Sequence, residues 1–243
     1  MDPTYGEYDT SDIDGLQTLI ERMSAADTIE DWSFILADYI SWGNIKIDKS
    51  VAIFNMNSAT DCPNADTERC QVPWNACYAH KAENIYPNTL PYRRRQEYLW
   101  DSMDPETWAE AFLQIVERKR NPVTAVRFSE AGDFRVDSDI VRVNRIAQLL
   151  EPHGIDVYTY SASSFLNWDL ATDFTINQSN EFSAYGDRLF SAVPTVDDVP
   201  EGAVVCPFDY AKSNGVPTED RPKCGECRLC IDDTGPDVYI TLH

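Results

Sequence analysis

The sequence predicts an α/β fold whose parallel sheet resembles a partial (β/α) barrel, preceded by a helical extension and followed by a cysteine-rich metal-binding segment. Three observations predict it. Between Val51 and Cys206, short apolar runs alternate with stretches at helical spacing, and strand, helix, strand with short connections implies right-handed parallel crossovers. Seven cysteines fall as three early and four late, a grouping that suits ligand sets better than disulfides, since an odd number cannot pair off. From Asp209 to Pro236 the chain has no convincing period and few apolar residues, as expected of a segment that orders around a metal. The chain accordingly divides into an acidic arm with helices over 1–50, an α/β core over 51–205 and a metal-binding tail over 206–243.

Each element follows from its own residues. Residues 1–10 are acidic and are expected to fray. Leu16, Leu19, Ile20 and Met23, then Trp32, Ile35, Leu36, Tyr39 and Ile40, are spaced as the buried faces of two helices between Asp12 and Trp42. Val51 to Met56 reads as a buried strand running into the first cysteines. A helix follows Pro91 through Trp100. Another begins at Asp104-Pro105-Glu106, where Asp caps and Pro occupies the first turn, and Trp108, Ala111, Phe112, Ile115 and Val116 give it one packed face. Thr124 to Ser129 is a strand, Ser138 to Glu151 a helix that stops at His153-Gly154, and Asp156 to Ser161 a strand. Further strands are Asp173 to Asn177, Arg188 to Val193 and Ala203 to Cys206. The later crossovers are short, so the second half is expected to be less regular.

The net charge of −21 over 243 residues, with 14 Arg against 6 Lys, resembles proteins of high-salt cytoplasms, where salt screens self-repulsion. An acidic protein of an ordinary cytosol is the alternative. Under either, binding to a nucleic-acid backbone is disfavoured. There is no basic start with an apolar h-region, and no run approaches the roughly 18 apolar residues of a membrane span. A cytoplasmic location is expected (the host's if the source is viral), where thiols stay reduced. Half of the basic residues lie between Arg93 and Arg145; they read mostly as solvated helix surface, with an anion-facing pocket as the alternative.

The late cysteines are Cys206, directly after a strand, and Cys224, Cys227 and Cys230. C-x2-C-x2-C with a remote fourth cysteine suits 4Fe-4S ligation, where successive thiolates meet separate irons. Structural zinc, disulfides and free thiols remain open. The early cysteines, Cys62, Cys70 and Cys77, follow the first strand, at the end where parallel α/β folds place small-molecule sites. Three thiolates on a cubane leave one iron open to a ligand; structural thiols in a loop are the alternative.

Other candidates lie on later strand ends. Glu130, Gly132 and Asp133 form a loop suited to a ribose or an ammonium, although either carboxylate alone also reads as a cap. Tyr158, Tyr160, Ser161 and Ser163, then Asn177, Gln178 and Ser179, read as polar pocket lining. His80, beside the early cysteines, either tunes a cluster or packs at the surface, and His243 is expected to fray.

On these residues the sequence resembles the gene product 88 proteins of phages and prokaryotes. The matching motifs are Cys62-Pro63 with Ala65 and Cys70, Cys77-Tyr78-Ala79, Arg127 to Phe134, Val157 to Ser161, Cys206-Pro207 and the final cysteine run. A more distant similarity is to radical SAM enzymes, whose relatives often end their cysteine motif in Cys-Tyr-Ala. That similarity implies a catalytic cluster on Cys62, Cys70 and Cys77, an auxiliary one on Cys206, Cys224, Cys227 and Cys230, and S-adenosylmethionine on the open iron. The chain departs from that pattern in two places. Its early cysteines are separated by seven and six residues rather than three and two, and Glu130-Ala131-Gly132-Asp133 stands where a Gly-Gly-Glu type motif would hold the methionine amino group.

Two functions are expected. One is an iron-sulfur, radical-SAM-like enzyme with one or two clusters, acting on a small-molecule or macromolecular substrate and supplied by an electron donor. The other is a non-catalytic binding protein stabilised by zinc or iron-sulfur, of viral or halophilic origin. A hydrolase using Cys77 and His80 is disfavoured, because residues so close in sequence rarely present nucleophile and base together.

Overall fold

The computed structural model describes residues 13–65, 67, 69–70, 74–179 and 184–241; the acidic arm over 1–10 and His243 lie outside them. The fold is mixed α/β, with eight helices and one eight-stranded, mostly parallel sheet among the described residues. No helix of these residues is long and apolar enough to cross a membrane.

Helix α1 (Leu16–Ser24) and α2 (Ile29–Ala37) form the extension. A capping box opens α2: Asp31 N–H donates to the Thr28 hydroxyl at 3.2 Å, and Thr28 N–H donates to the Asp31 carboxylate at 3.0 Å. Strand β1 (Ser41–Trp42) then pairs antiparallel with β2 (Val51–Phe54), Ser41 opposite Ile53.

Three helices separate β2 from the next strand: α3 (Tyr78–Ile85), α4 (Thr89–Ser102) and α5 (Pro105–Glu117). Asp104 caps α5 by accepting from Thr107 N–H at 2.9 Å, with Pro105 in the first turn. Strand β3 (Ala125–Phe128), helix α6 (Asp137–Leu150), β4 (Asp156–Ser161), β5 (Thr175–Gln178) and β6 (Arg188–Val193) follow, each strand parallel to its predecessor. The tail adds β7 (Val204–Val205), α7 (Pro207–Ser213), α8 (Cys224–Cys227) and β8 (Val238–Thr241). The sheet order is β1-β2-β3-β4-β5-β6-β8-β7, so the final strand enters between two earlier ones.

Alternation along the strands sends neighbouring side chains to opposite faces. Ala52, Phe54, Val126, Phe128, Val157 and Ile176 join the helices in the main core. Its centre is aromatic: Phe54 meets Trp100, Trp108 and Phe128 with ring centroids 6.2, 5.6 and 6.1 Å away, spacings at which edge and tilted pairs are favourable. Val51, Ile53, Ala125 and Tyr158 face the other way, against Ile231 and Cys224 of the tail. The helices thus cover one face and the cysteine-rich tail part of the other.

Two residues of the basic stretch depart from the solvated surface expected of most of it. Arg93 is buried against Glu83 at 2.7 Å. Arg135 is buried among Glu97, Asp101 and Asp139 at 2.9, 2.5 and 3.2 Å. A helical period marks which residues face inward but not that an inward arginine has found carboxylates.

Candidate functional site

The uncovered part of the second sheet face, with the loops at the strand ends, encloses a cavity of about 450 Å³. Its walls bring together residues far apart in sequence: Cys62, Cys70 and Cys77, Arg127 of β3 with the loop from Ser129 to Asp133, Tyr160, Lys46 and Cys224.

The early cysteines are placed by the loop after β2. Buried Glu83 accepts from the N–H groups of Ala59 and Thr60 at 2.8 and 2.9 Å while pairing with Arg93, so one carboxylate fixes both loop and helix. Asp61 is held by Arg94 through two bonds of 2.8 and 3.0 Å, the bidentate geometry that guanidinium favours. Cys77 is the N-cap of α3. Cys62, Cys70 and Cys77 lie within electrostatic reach of one another, and burial, then Asp133, pushes the Cys62 thiol up.

At the end of β3 the chain turns through Ser129 in the left-handed region, φ 59°, and Gly132, φ 71°. A non-glycine there carries strain that surrounding structure must hold. Asp133 follows, buried, with Ser161 Oγ, Phe134 N–H, Ala162 N–H and Asn64 Nδ2 donating to its carboxylate at 2.6, 2.7, 2.7 and 2.8 Å. Burial pushes it up to about 6, against the pull of those donors. It joins the ends of β3 and β4 to the Cys62 loop.

The late cysteines line a second, small cavity of about 20 Å³ together with Lys46, Tyr160 and Phe190. Cys224 belongs to both cavities. Burial raises Cys224 to about 12 and pushes Cys227 and Cys230 up as well. Cations gather here despite the acidic chain. Lys46 Nζ donates to Asp209 at 2.8 Å and, although burial pulls its pKa down, Cys206 and Asp209 outweigh that and raise it. Buried Arg188 reaches the Asp232 carbonyl, leaves Nε and Nη1 without a partner and acts electrostatically on Cys230. The tail backbone is strapped to the sheet by Asn177 Nδ2 to the Cys230 carbonyl, 2.8 Å, and Thr175 Oγ1 to the Ile231 carbonyl, 2.7 Å.

Tyr78, Glu130, Gly132, Asp133 and Tyr160 line the large cavity, and the Tyr78 hydroxyl donates to the Glu130 carbonyl. Ser161 and Asn177 do not line it: both are buried, Ser161 orienting Asp133 and Asn177 holding the tail. The reason is depth: Ser161 sits behind Asp133, and Asn177, level with Tyr160 in the sheet, is covered by the tail that it holds. His80 stacks on Trp74, ring centroids 3.7 Å apart. Sequence reasoning missed Lys46, Ser129 and Trp74 as cavity residues and gave Arg127 no role there. Arg127 had one signal, its alternation with Val126 and Phe128, which face the main core; Lys46 had none. Among the described residues no group of three or more Cys, His, Asp or Glu side chains converges closely enough to hold a single metal ion.

A family model described as gene product 88 matches residues 24–233, a span that includes both cysteine groups. No curated protein and no solved structure matches the chain.

Proposed function

The chain belongs to the gene product 88 family, and on that premise we propose that it is an iron-sulfur protein whose large cavity is the site of a radical-SAM-like reaction, in a sheet curved as a partial barrel. The observation that carries this reading is the late group: four thiols lining one small cavity, with Lys46 and Arg188 within their electrostatic reach in a chain of net charge −21. Cations placed there offset the negative charge of several thiolates, which burial alone would oppose.

The donor set fits the group. Cys206, Cys224, Cys227 and Cys230 supply sulfur ligands only, at spacing suited to a cubane, and they would hold one cluster. Cys62, Cys70 and Cys77, which line the large cavity, would hold a second with one ligand position not filled by cysteine. Such clusters supply one-electron chemistry, and an open iron adds a coordination site for a ligand such as S-adenosylmethionine. The chain's own residues do the rest. Glu83, Arg93 and Asp61 fix the early loop; Asp133 ties it to two strand ends; Tyr78 holds the Glu130 backbone across the mouth. Trp74, Ala59, Ala131 and Ala162 make the rest of the wall largely apolar, which limits water around a reactive intermediate.

A second reading rests on the tail alone. Its four cysteines match zinc in donor type and number, although they do not converge on one point in this structure, and the tail's bonds to the sheet are those of a staple. One experiment separates the two: metal and acid-labile sulfide content with an absorption spectrum, on protein purified without oxygen in molar salt. About eight iron and eight sulfide per chain, with a broad absorption in the visible, is expected for two cubanes. Zinc without sulfide overturns the iron-sulfur reading and leaves a metal-stapled binding protein.

A further inference from the structure

The chain pairs two of its buried arginines with carboxylates: Arg93 with Glu83, and Arg135 with Glu97, Asp101 and Asp139. Arg127 is different. It lines the large cavity, its Nε is buried without a hydrogen-bond partner, and its guanidinium makes no ion pair with any described carboxylate. What it does have is an aromatic floor, with Cζ 4.5 Å from the centroid of the Tyr160 ring. That contact fixes the plane of the fork and leaves its edge for a ligand.

Just past the end of β3, at the left-handed turn, Ser129 Oγ is buried at the wall of the same cavity without a partner. Leaving a buried hydroxyl and a buried guanidinium N–H unmatched costs about 1–3 kcal/mol each, a penalty that a bound oxyanion removes. Asn64 Oδ1, also unpartnered and lining the cavity, offers an acceptor to a donor on the same ligand. The surrounding wall is mostly carbon.

The geometry points to an oxyanion subsite: Arg127 and Ser129 bind the carboxylate or phosphate of a small substrate whose body fills the apolar remainder of the cavity. In a chain of net charge −21, long-range repulsion disfavours anions generally, so selectivity for them has to come from a fixed, desolvated cation such as this one. The inference rests on the large cavity being the substrate site, not on iron.

The test is calorimetric titration of the full chain, as purified, with inorganic phosphate and separately with acetate, at ionic strength held constant by chloride. Saturable one-to-one binding of either is expected in the native protein; phosphate alone identifies a phosphoryl substrate, acetate alone a carboxylate. Arg127→Gln is expected to weaken that binding at least tenfold with unchanged near-ultraviolet circular dichroism, whereas Arg22→Gln, at an exposed ion pair, leaves it unaltered. If Arg127→Gln does not fold, Arg127→Lys decides, since it keeps the charge and loses the planar fork: a several-fold weaker affinity is expected. No saturable binding of either anion to the native protein, or native affinity in the decisive variant, overturns the subsite. Iron content of the same samples reports on the clusters separately, and an iron-free preparation that binds anions through Arg127 overturns only the iron-sulfur reading.

Discussion

The side-chain amide of Asn57 and the backbone of Asp133 exchange two hydrogen bonds: Asn57 Nδ2 donates to the Asp133 carbonyl and Asp133 N–H donates to Asn57 Oδ1, each at 2.9 Å. The pair imitates one rung of a β-ladder beyond the ends of β2 and β3, where no backbone partner exists. It locks the loop that leads to the early cysteines onto the loop that carries Glu130.

Gly132 is where this lock is tightest. A Cβ there would fall 1.5 Å from Asn57 Oδ1, and the residue has φ +71°. Gly132→Ala combines left-handed strain of about 1–2 kcal/mol with a displaced, buried hydrogen-bond pair, and is expected to lose more than about 3 kcal/mol in denaturant unfolding. A loss below about 1 kcal/mol would show that the loop yields without cost.

The Arg135 network makes the fold sensitive to acid. Burial favours the neutral form of Asp139, but Arg135 and the Trp100 indole N–H outweigh it and hold its pKa below 3.8. A carboxyl depressed in the folded state contributes stability that is present above its unfolded value and lost as pH falls through 3.8 toward the folded one. Asp139→Asn is expected to cost about 3–5 kcal/mol at pH 7, because Arg135 loses a buried partner. Its stability should then vary less than the native protein's between about pH 5 and pH 3. Parallel acid limbs in urea midpoints would contradict the assignment.

Gly225 fixes the tail against the loop before β2. Its N–H donates to Asp48 at 2.7 Å, and a Cβ would stand 2.2 Å from the same carboxylate oxygen. Gly225→Ala should lift α8, and the labelling rate of the late thiols by iodoacetamide should rise about tenfold, as local opening costs less. Unchanged labelling would place the anchor elsewhere in the tail.

Lys46 and Asp209 are 163 residues apart in sequence and bonded at 2.8 Å, with the Phe190 and Phe208 ring centroids 6.0 and 5.8 Å from the ammonium. Lys46→Met leaves Asp209 with a lost counter-charge in a site only partly open to water, a loss of about 1–3 kcal/mol. Pairing it with Asp209→Leu should recover much of that loss; a fully additive double variant would mean that the two do not interact.

How far the sequence reached follows from the range of each interaction. Elements set by local spacing were legible: Asp104 and Pro105 open α5, and β4 spans Asp156–Ser161 as its pattern predicts. Helix α3 was not, because Tyr78–Ile85 carries few apolar residues and one of its two buried anchors, Glu83, reads as surface until Arg93 and the Ala59–Thr60 backbone reach it. Strand β8 was missed for a similar reason: its four residues pair with partners near 190 and 204, which no local period encodes. At the site, spacing gave an early and a late group of cysteines but not their relation in space, and Cys224 of the late group lines the same cavity as the early three. That Ser161 and Asn177 support the wall rather than form it depends on depth, which period-two alternation does not give.

The place of β8 sets an order of assembly. Among the described strands β7 has a single neighbour, β8, which also carries the contact back to β6. On a ribosome, Val204, Val205 and the thiol of Cys206 therefore wait for residues 238–241 to emerge before the sheet can take them in. Until then Cys206 lacks the Tyr239 carbonyl that its backbone N–H binds at 2.7 Å, while Cys224 already has its floor in β2, β3 and β4.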